Sequence, residues 1–225
     1  MFSDFLNLIF PSYCLACHKA LVKNEDFICT YCRFELPKTE YHLINDNQLS
    51  KKFYGKVNIE NSWAYLKYAK EGKVQKIIHE LKYQGKSEIG EILGKWYGFE
   101  IKSSKRKYDF DLIIPIPLHV KKLKKRGYNQ TDGFAKGLSE SLIVPWDRSS
   151  FIRNIPNRTQ TKKDKYERWL NVKDIFLVKN PSKIKNKHIL LVDDVITTGS
   201  TIEAGAYKLL EAGCRKVSVA AIATA

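Results

Sequence analysis

The sequence predicts an α/β fold, in which helices cover both faces of a mostly parallel sheet, with a small cysteine-rich module ahead of it. Three observations predict it. The four consecutive apolar residues from Ile189 to Val192 would give a strand two apolar faces, which indicates a strand buried on both faces. Strand-like and helix-like segments alternate along the chain, and four cysteines near the N-terminus form two Cys-x-x-Cys pairs. The length of 225 residues, 44% of them hydrophobic, suffices for one core and a small appendage.

Each predicted element has a local reason. Trp63 and Tyr65 alternate with smaller or polar neighbours, as in a strand. Apolar residues recur at helical spacing from Val74 onwards, and the apolar stretch that begins at Asp111 breaks at prolines, which cannot donate ladder hydrogen bonds. The remaining predictions are helices over 74–83, 89–99, 129–142 and 202–212, and strands over 111–117, 189–192 and 217–222.

Cys14, Cys17, Cys29 and Cys32 have the spacing of a structural zinc site, with eleven residues between the two pairs. The alternative is two disulfides, which require an oxidising compartment. Four thiolates complete the tetrahedral shell of zinc, so no position stays open for catalysis. Cys214 is left over and is expected to be a small buried hydrophobe.

The segment after the buried run combines two acids with a turn of small residues. Asp193 and Asp194 are predicted to stand where the strand ends, and the turn that follows is predicted to open a helix, whose first N–H groups attract phosphate. The acids can accept hydrogen bonds from a vicinal diol, directly or through Mg²⁺. The alternative is a strand capped by acids before an ordinary helix start. The turn consists of Thr197, Thr198, Gly199, Ser200 and Thr201.

This segment resembles the loop of type I phosphoribosyltransferases that binds phosphoribosyl diphosphate (PRPP). The resemblance implies a phosphoribosyltransferase-like parallel sheet, ribose hydroxyls on Asp193 and Asp194, and the 5-phosphate in the turn 197–201. Mg²⁺ is expected to accompany PRPP. Purine-salvage members carry an aspartate where this chain has Thr197.

Two further stretches are candidates for the pyrophosphate side. The first is the strand end with Pro117, Leu118 and His119, which resembles the loop where phosphoribosyltransferases bind pyrophosphate through backbone amides. Arg126, beyond it, has a guanidinium that can bind a phosphate bidentately. The second contains Arg158 and Arg168 in a polar stretch typical of a flexible lid. For each arginine the alternative is an ordinary surface cation. No catalytic residue is assigned.

The net charge is +15, and lysine-rich clusters lie at 102–107, 121–126, 158–168 and 179–187, several of them in predicted loops. The positive electrostatic potential of these clusters attracts polyanions, from PRPP to single-stranded DNA. The alternative is a lysine-rich solvated surface. No run approaches the roughly 18 apolar residues of a membrane helix. Residues 1–10 are apolar but lack the basic start of a secretory signal, and a short helix that docks the zinc module accounts for them.

Taken in order, the motifs resemble the ComF family over nearly the entire chain. They are Phe10–Cys17, Leu81–Gly85, Pro115–Leu118, Arg126–Gln130, Gln160–Thr161 with Arg168 and Asn171, and Val192–Gly199. The resemblance implies a zinc ribbon at 1–40 joined to a phosphoribosyltransferase-like domain at 41–225. It further implies a cytoplasmic protein of natural competence, beside the inner-membrane channel, that passes single-stranded DNA to a helicase or recombination mediator.

Three functions are compatible with these features. The first is an adaptor in DNA uptake that binds single-stranded DNA and takes PRPP or a nucleotide as ligand. The second is an active, Mg²⁺-dependent phosphoribosyltransferase on an unidentified acceptor. The third is a regulator that senses PRPP.

Overall fold

A four-stranded parallel sheet forms the centre of the fold in the computed structural model, which describes residues 11–104, 106–153 and 175–225. Its spatial order is β1-β6-β5-β2, which confirms the predicted parallel sheet. A separate antiparallel pair, β3 and β4, was not predicted, because three residues are too short for a recognisable alternation. The strands are β1 (Ser62–Lys67), β2 (Leu112–Pro115), β3 (Phe151–Arg153), β4 (Phe176–Val178), β5 (His188–Ile196) and β6 (Lys216–Thr224).

The four helices predicted between residues 74 and 212 are present, with ends shifted by a few residues. Two further helices were not predicted: α1 (Thr30–Phe34) in the cysteine-rich module, and α4 (Val120–Arg126) in the basic run that ends at Arg126. Lysine and arginine favour helices, the side chain of His119 caps the start, and Gly127 ends the helix at a φ of +80°. The helices are α1 (Thr30–Phe34), α2 (Lys73–Tyr83), α3 (Glu88–Ser103), α4 (Val120–Arg126), α5 (Gln130–Leu142) and α6 (Ser200–Glu211). Short 3-10 turns cover Tyr41–Leu43, Ser50–Phe53 and Pro181–Lys183. None of the described helices is long and apolar enough to cross a membrane.

The sheet is buried on both faces, as its apolar strands predict. Along β5, Ile189 and Leu191 pack in the cluster that contains the apolar face of α6. Leu190 and Val192 pack in the opposite cluster, with α2, α3 and α5. Cys214 is 8% exposed within the α6 cluster, which confirms the buried position expected of it.

Strand β5 is longer than the sequence indicated. The prediction that it ends at Asp193 and Asp194 is wrong, because β6 continues beside it and pairs Asp193 with Ala221 and Val195 with Ala223. The two acids therefore lie inside a strand, where successive side chains point to opposite faces. Asp193 lies on the α6 side of the sheet and Asp194 on the side of α2 and α5.

The cysteine-rich module shares the core of the sheet. Its apolar residues Leu15, Ile28 and Leu36 are buried in the same cluster as α2 and α3. A backbone bridge also joins Lys38 to Leu66 of β1. The boundary at residue 40 remains a prediction.

Helices α3 and α5 touch through their glycines. A Cβ added at Gly137 would lie 2.1 Å from the carbonyl oxygen of Glu91, and one at Gly94 would lie 2.5 Å from that of Phe134. Neither position can hold a side chain unless the backbones separate. This contact fixes the position of α5, whose first residue is Gln130, at the carboxyl edge of the sheet.

The amino edge of the sheet carries a chain of hydrogen-bonded polar side chains. His188 Nδ1 lies 2.8 Å from Asp109 Oδ1, and His188 Nε2 lies 2.9 Å from Ser218 Oγ. Arg215 pairs with the same Asp109 at 2.9 Å. His188 is 1% and Ser218 0% exposed, whereas the side chains of Asp109 and Arg215 are 62% and 47% exposed, so the chain runs from the buried strands β5 and β6 to solvent.

We expect Gly137→Ala to destabilise the protein by about 1 to 3 kcal/mol, the usual cost of overpacking. Helix propensity alone predicts the opposite sign, since alanine favours a helix more than glycine does. Ser139→Ala on the same helix is the control and should change the free energy of unfolding by less than about 0.5 kcal/mol. Urea denaturation measures both, and an unchanged midpoint for Gly137→Ala would refute the close helix contact.

Candidate functional site

The carboxyl edge of the sheet brings the predicted acids beside the loop that follows β2. Strands β2 and β5 are parallel neighbours with Pro115 opposite Val192, and Ile116 N donates to the Val192 carbonyl at 2.8 Å. The next residues along both strands therefore meet at one edge. In this way Asp193 and Asp194 come to face the loop that contains Pro117, as predicted for a site at this edge.

Asp194 is a buried carboxylate with two partners from helices. It is 6% exposed, and its Oδ2 accepts a hydrogen bond from Gln130 Nε2 at 2.6 Å. Lys82 Nζ, at the end of α2, lies 3.2 Å from the same oxygen. Burial of a charge is tolerated when it is paired and hydrogen-bonded, so these two side chains hold Asp194 in place.

Asp193 is half-buried and in a different electrostatic environment. Its Oδ1 accepts a hydrogen bond from the backbone N–H of Asp194 at 2.8 Å. Burial, and next the charge of Asp194, raise the pKa of Asp193 well above its ordinary value. Arg153 at the end of β3 is the nearby cation on this side: burial lowers the pKa of its guanidinium, and the charge of Asp193 opposes that shift. A bound cation would favour the ionised form of Asp193.

The turn after β5 has the geometry predicted for it. Gly199 adopts a φ of +85° as the residue before α6, and a Cβ there would lie 2.9 Å from Phe53 Cε1. The first backbone hydrogen bond of α6 runs from Glu203 N to Gly199 O at 2.9 Å, which leaves the N–H groups before it free of helical partners. The hydroxyls of Thr198 and Ser200 lie 3.0 Å apart at the same place. Thr197 and Thr198 are exposed, whereas Thr201 is partly buried in the first turn of α6.

Arg126 is connected to the acids through one glutamine. Its Nη1 donates to Gln130 Oε1 at 2.9 Å, and the same Gln130 amide donates to Asp194. The guanidinium carbon also lies 5.1 Å from the centroid of the Tyr83 ring. The predicted pyrophosphate-side cation and the predicted ribose-side carboxylate thus belong to one hydrogen-bonded chain.

The other pyrophosphate-side candidates are not part of the hydrogen-bonded chain that joins Arg126 to Asp194. Pro117 and Leu118 line a cavity of ≈ 1190 Å³ that also reaches Arg153. His119 is occupied as the cap of α4, where its Nδ1 accepts from Lys121 N at 3.2 Å. Arg158 and Arg168 lie outside the described residues, as does the apolar segment 1–10 that was expected to dock the zinc module.

Sequence reasoning missed several residues of this site. Lys82 and Gln130 lie within motifs that were recognised, so their place in those motifs was an available signal. Lys52 donates a hydrogen bond to the carbonyl of Thr197, and Phe53 packs against Gly199. Nothing in the pattern around Lys52 and Phe53 indicates a contact with a turn so far along the chain.

The four N-terminal cysteines form one cluster of free thiols. Their sulfur atoms all lie within 4.8 Å of one another, and Cys17 Sγ is 3.8 Å from Cys29 Sγ. Tetrahedral zinc with bonds of about 2.3 Å requires sulfurs about 3.8 Å apart, whereas a disulfide requires about 2.05 Å. Backbone N–H groups of Cys29 and Cys32 also donate to the sulfurs of Cys14 and Cys29. The cluster is compatible with a structural zinc ion and does not contain the two disulfides of the alternative.

Comparison with known proteins agrees with this architecture. A family model of the phosphoribosyl transferase domain matches residues 133–225, which include β5 and the turn after it. The chain is 30% identical to DNA utilization protein YhgH of Escherichia coli strain K12 over 213 residues, 92% of this chain and 87% of that protein. It is 26% identical to Competence protein F of Haemophilus influenzae over 224 residues, 94% of this chain and 96% of the relative. Competence protein ComFC of Bacillus subtilis is 28% identical over 204 residues, covering 89% of this chain and 78% of its own length. The fold is therefore that of a type I phosphoribosyltransferase, as predicted.

We expect the protein to contain one zinc ion per chain and to lose stability when a chelator removes it, because binding at such a site contributes folding free energy. Limited proteolysis should then cut within 14–32, and the melting temperature should fall because Leu15 and Ile28 share the main core. Cys32→Ala should reproduce both effects. Cys214→Ala, which removes a thiol outside the cluster, should retain zinc. Equal protease resistance with and without chelator would exclude a structural metal.

Proposed function

Because this chain belongs to the ComF family, we propose that it acts in the uptake or use of DNA and binds PRPP, or a related nucleotide, at the carboxyl edge of β5. The proposal takes its biological setting from the relatives, whose names refer to competence and DNA utilization. The main support for this ligand is the pair Asp193 and Asp194, followed by a helix start whose first N–H groups have no helical partners.

The arrangement of polar groups suits each part of PRPP. The ribose hydroxyls donate to carboxylates at this edge, and Asp193 would hold Mg²⁺ together with oxygens of the ligand. The 5-phosphate accepts hydrogen bonds from the N–H groups and hydroxyls of the turn 197–201. The pyrophosphate extends towards the loop 117–119 and Arg126, which bring backbone amides and positive charge.

The proposed DNA partner is a single strand. The net charge of +15 favours polyanions, and exposed lysines carry much of it. Transfer of the strand to a helicase or recombination mediator, and a cytoplasmic position beside the inner membrane, belong to the same proposal.

Catalytic phosphoribosyl transfer is the second candidate, since positive charge lies where pyrophosphate would leave. A transferase would stabilise an oxocarbenium-like ribosyl centre and the departing pyrophosphate with these cations and Mg²⁺. Thr197 stands where purine-salvage enzymes carry an aspartate, and a threonine cannot exchange a proton with a purine ring in the same way. A purine acceptor is therefore disfavoured, and a PRPP sensor without turnover fits the same residues.

We expect no pyrophosphate release from PRPP with purine bases, because the proton-exchanging group is missing. The assay follows pyrophosphate over time with a panel of purines, pyrimidines and amines, with Mg²⁺ present and absent. Release with one acceptor would establish a transferase. Silence across the panel, with PRPP bound, would support the adaptor or sensor.

We expect Asp193→Asn to abolish Mg²⁺-dependent binding of PRPP and yet raise the melting temperature of the ligand-free protein by a few degrees. The amide removes a carboxylate whose ionised form is disfavoured by burial and by Asp194. Thermal shift and calorimetry with Mg²⁺–PRPP measure both effects.

The double variant Asp193→Asn with Asp194→Asn should bind no PRPP. Its matched control is Glu60→Gln with Glu140→Gln, which changes charge equally but only loosens exposed ion pairs. Retained affinity in the double variant would show that the ligand binds elsewhere.

A further inference from the structure

A small basic pocket lies between the end of α2 and helix α4, beside the proposed ribose site. Its volume is ≈ 290 Å³. Four of the lining side chains are cations and none is an acid. We call it the basic pocket; its side-chain walls are Lys82, Tyr83, Lys122, Lys125, Arg126 and Tyr128.

Two of the four charges in the basic pocket are free for an external anion. Lys122 and Lys125 are exposed on α4, and within the described residues neither has an ion-pair partner. Arg126 is held by Gln130 and by the ring of Tyr83, so its guanidinium is fixed before any ligand arrives. The Tyr128 hydroxyl donates to the carbonyl of Leu81 and fixes the opposite wall.

The pocket also contains an accessible aromatic ring. Tyr83 is 58% exposed even with Arg126 and His79 against it. Cations along a groove, with an aromatic ring on which a base can stack, are the elements that bind single strands regardless of sequence. The volume suits one nucleotide, near the lower limit of ligand pockets, and a base-paired duplex cannot enter it.

Lys82 belongs to both sites. It lines the basic pocket, and its Nζ lies 3.2 Å from Asp194 Oδ2. A ribose hydroxyl that donates to Asp194 competes with Lys82 for that oxygen. Lys82 then turns towards the pocket and adds its charge there, so a ligand at one site should strengthen binding at the other.

We propose that the basic pocket binds one nucleotide of a single DNA strand, with the phosphate on Lys122 and Lys125 and the base against Tyr83, and that Lys82 couples this binding to the ribose site. The inference rests on the proposed function for its ribose ligand and its DNA partner. The location of the DNA contact is independent of PRPP and is tested without it.

The experiment measures the anisotropy of a fluorescent oligo(dT) with the zinc-loaded full chain over a series of salt concentrations. Lys122→Ala with Lys125→Ala should weaken binding about tenfold and lower the salt slope by about 0.7, the contribution of one phosphate contact on a single strand. Tyr83→Ala should weaken binding about tenfold, whereas Tyr83→Phe, which keeps the ring, should bind as the wild type does. The charge-matched control is Lys179→Ala with Lys185→Ala, exposed lysines outside the pocket, and it should keep the slope.

A second arm adds Mg²⁺–PRPP. Wild-type affinity for oligo(dT) should rise several-fold, and Lys82→Met should remove the rise. Equal losses in the pocket and control pairs would overturn the DNA site, whatever PRPP does. Pyrophosphate binding that is lost in the Lys122→Ala, Lys125→Ala variant would also overturn it, because these lysines would then belong to a pyrophosphate subsite. If PRPP fails to bind wild-type protein, the proposed function and the coupling fail, while the DNA arm is still decided by its own variants.

Discussion

The contact between the glycine faces of α3 and α5 is the constraint on which the site depends. Because carbonyl oxygens of one helix meet the glycine Cα atoms of the other, α5 cannot approach α3 more closely or slide along it without a clash. With α5 in that position, its first residue, Gln130, donates a hydrogen bond to the carboxylate of Asp194. A contact of backbone atoms deep in the core thus determines the geometry of a polar group at the edge of the sheet.

Asp193 and Asp194 have different environments because they are successive residues of one strand. Since successive side chains point to opposite faces, Asp194 meets α2 and α5 while Asp193 meets the region of Arg153. One carboxylate is held by an amide and an ammonium; the other has its pKa raised by burial and by its neighbour. Adjacent residues of the same type are therefore suited to different tasks, one to hold a fixed orientation and the other to respond to an arriving cation.

Much of the fold could be predicted because buried apolar residues recur in the sequence with the spacing of the helix or strand that contains them. The parallel sheet, its long helices and the cysteine cluster follow from apolar runs, helical spacing and Cys-x-x-Cys pairs. The end of β5 was misplaced because pairing with β6, a tertiary interaction, outweighs the local cost of two acids in a strand. Lys52 and Phe53 reach Gly199 only through the folded chain, so no local pattern contains that contact. At the site, the sequence identified the polar residues that lie near a strand end. Which of these residues are in contact could be learned only from the structure.

The polar chain at the amino edge of the sheet resembles a catalytic triad. An aspartate, a histidine and a serine follow one another at hydrogen-bond distances, in the order familiar from serine hydrolases. Here the serine hydroxyl is sealed among strands and already accepts a hydrogen bond from the Asn61 amide at 3.1 Å, so no ester or peptide can approach it. A search for hydrolases by interatomic distances alone would select this protein wrongly, and a requirement that the nucleophile be accessible would reject it.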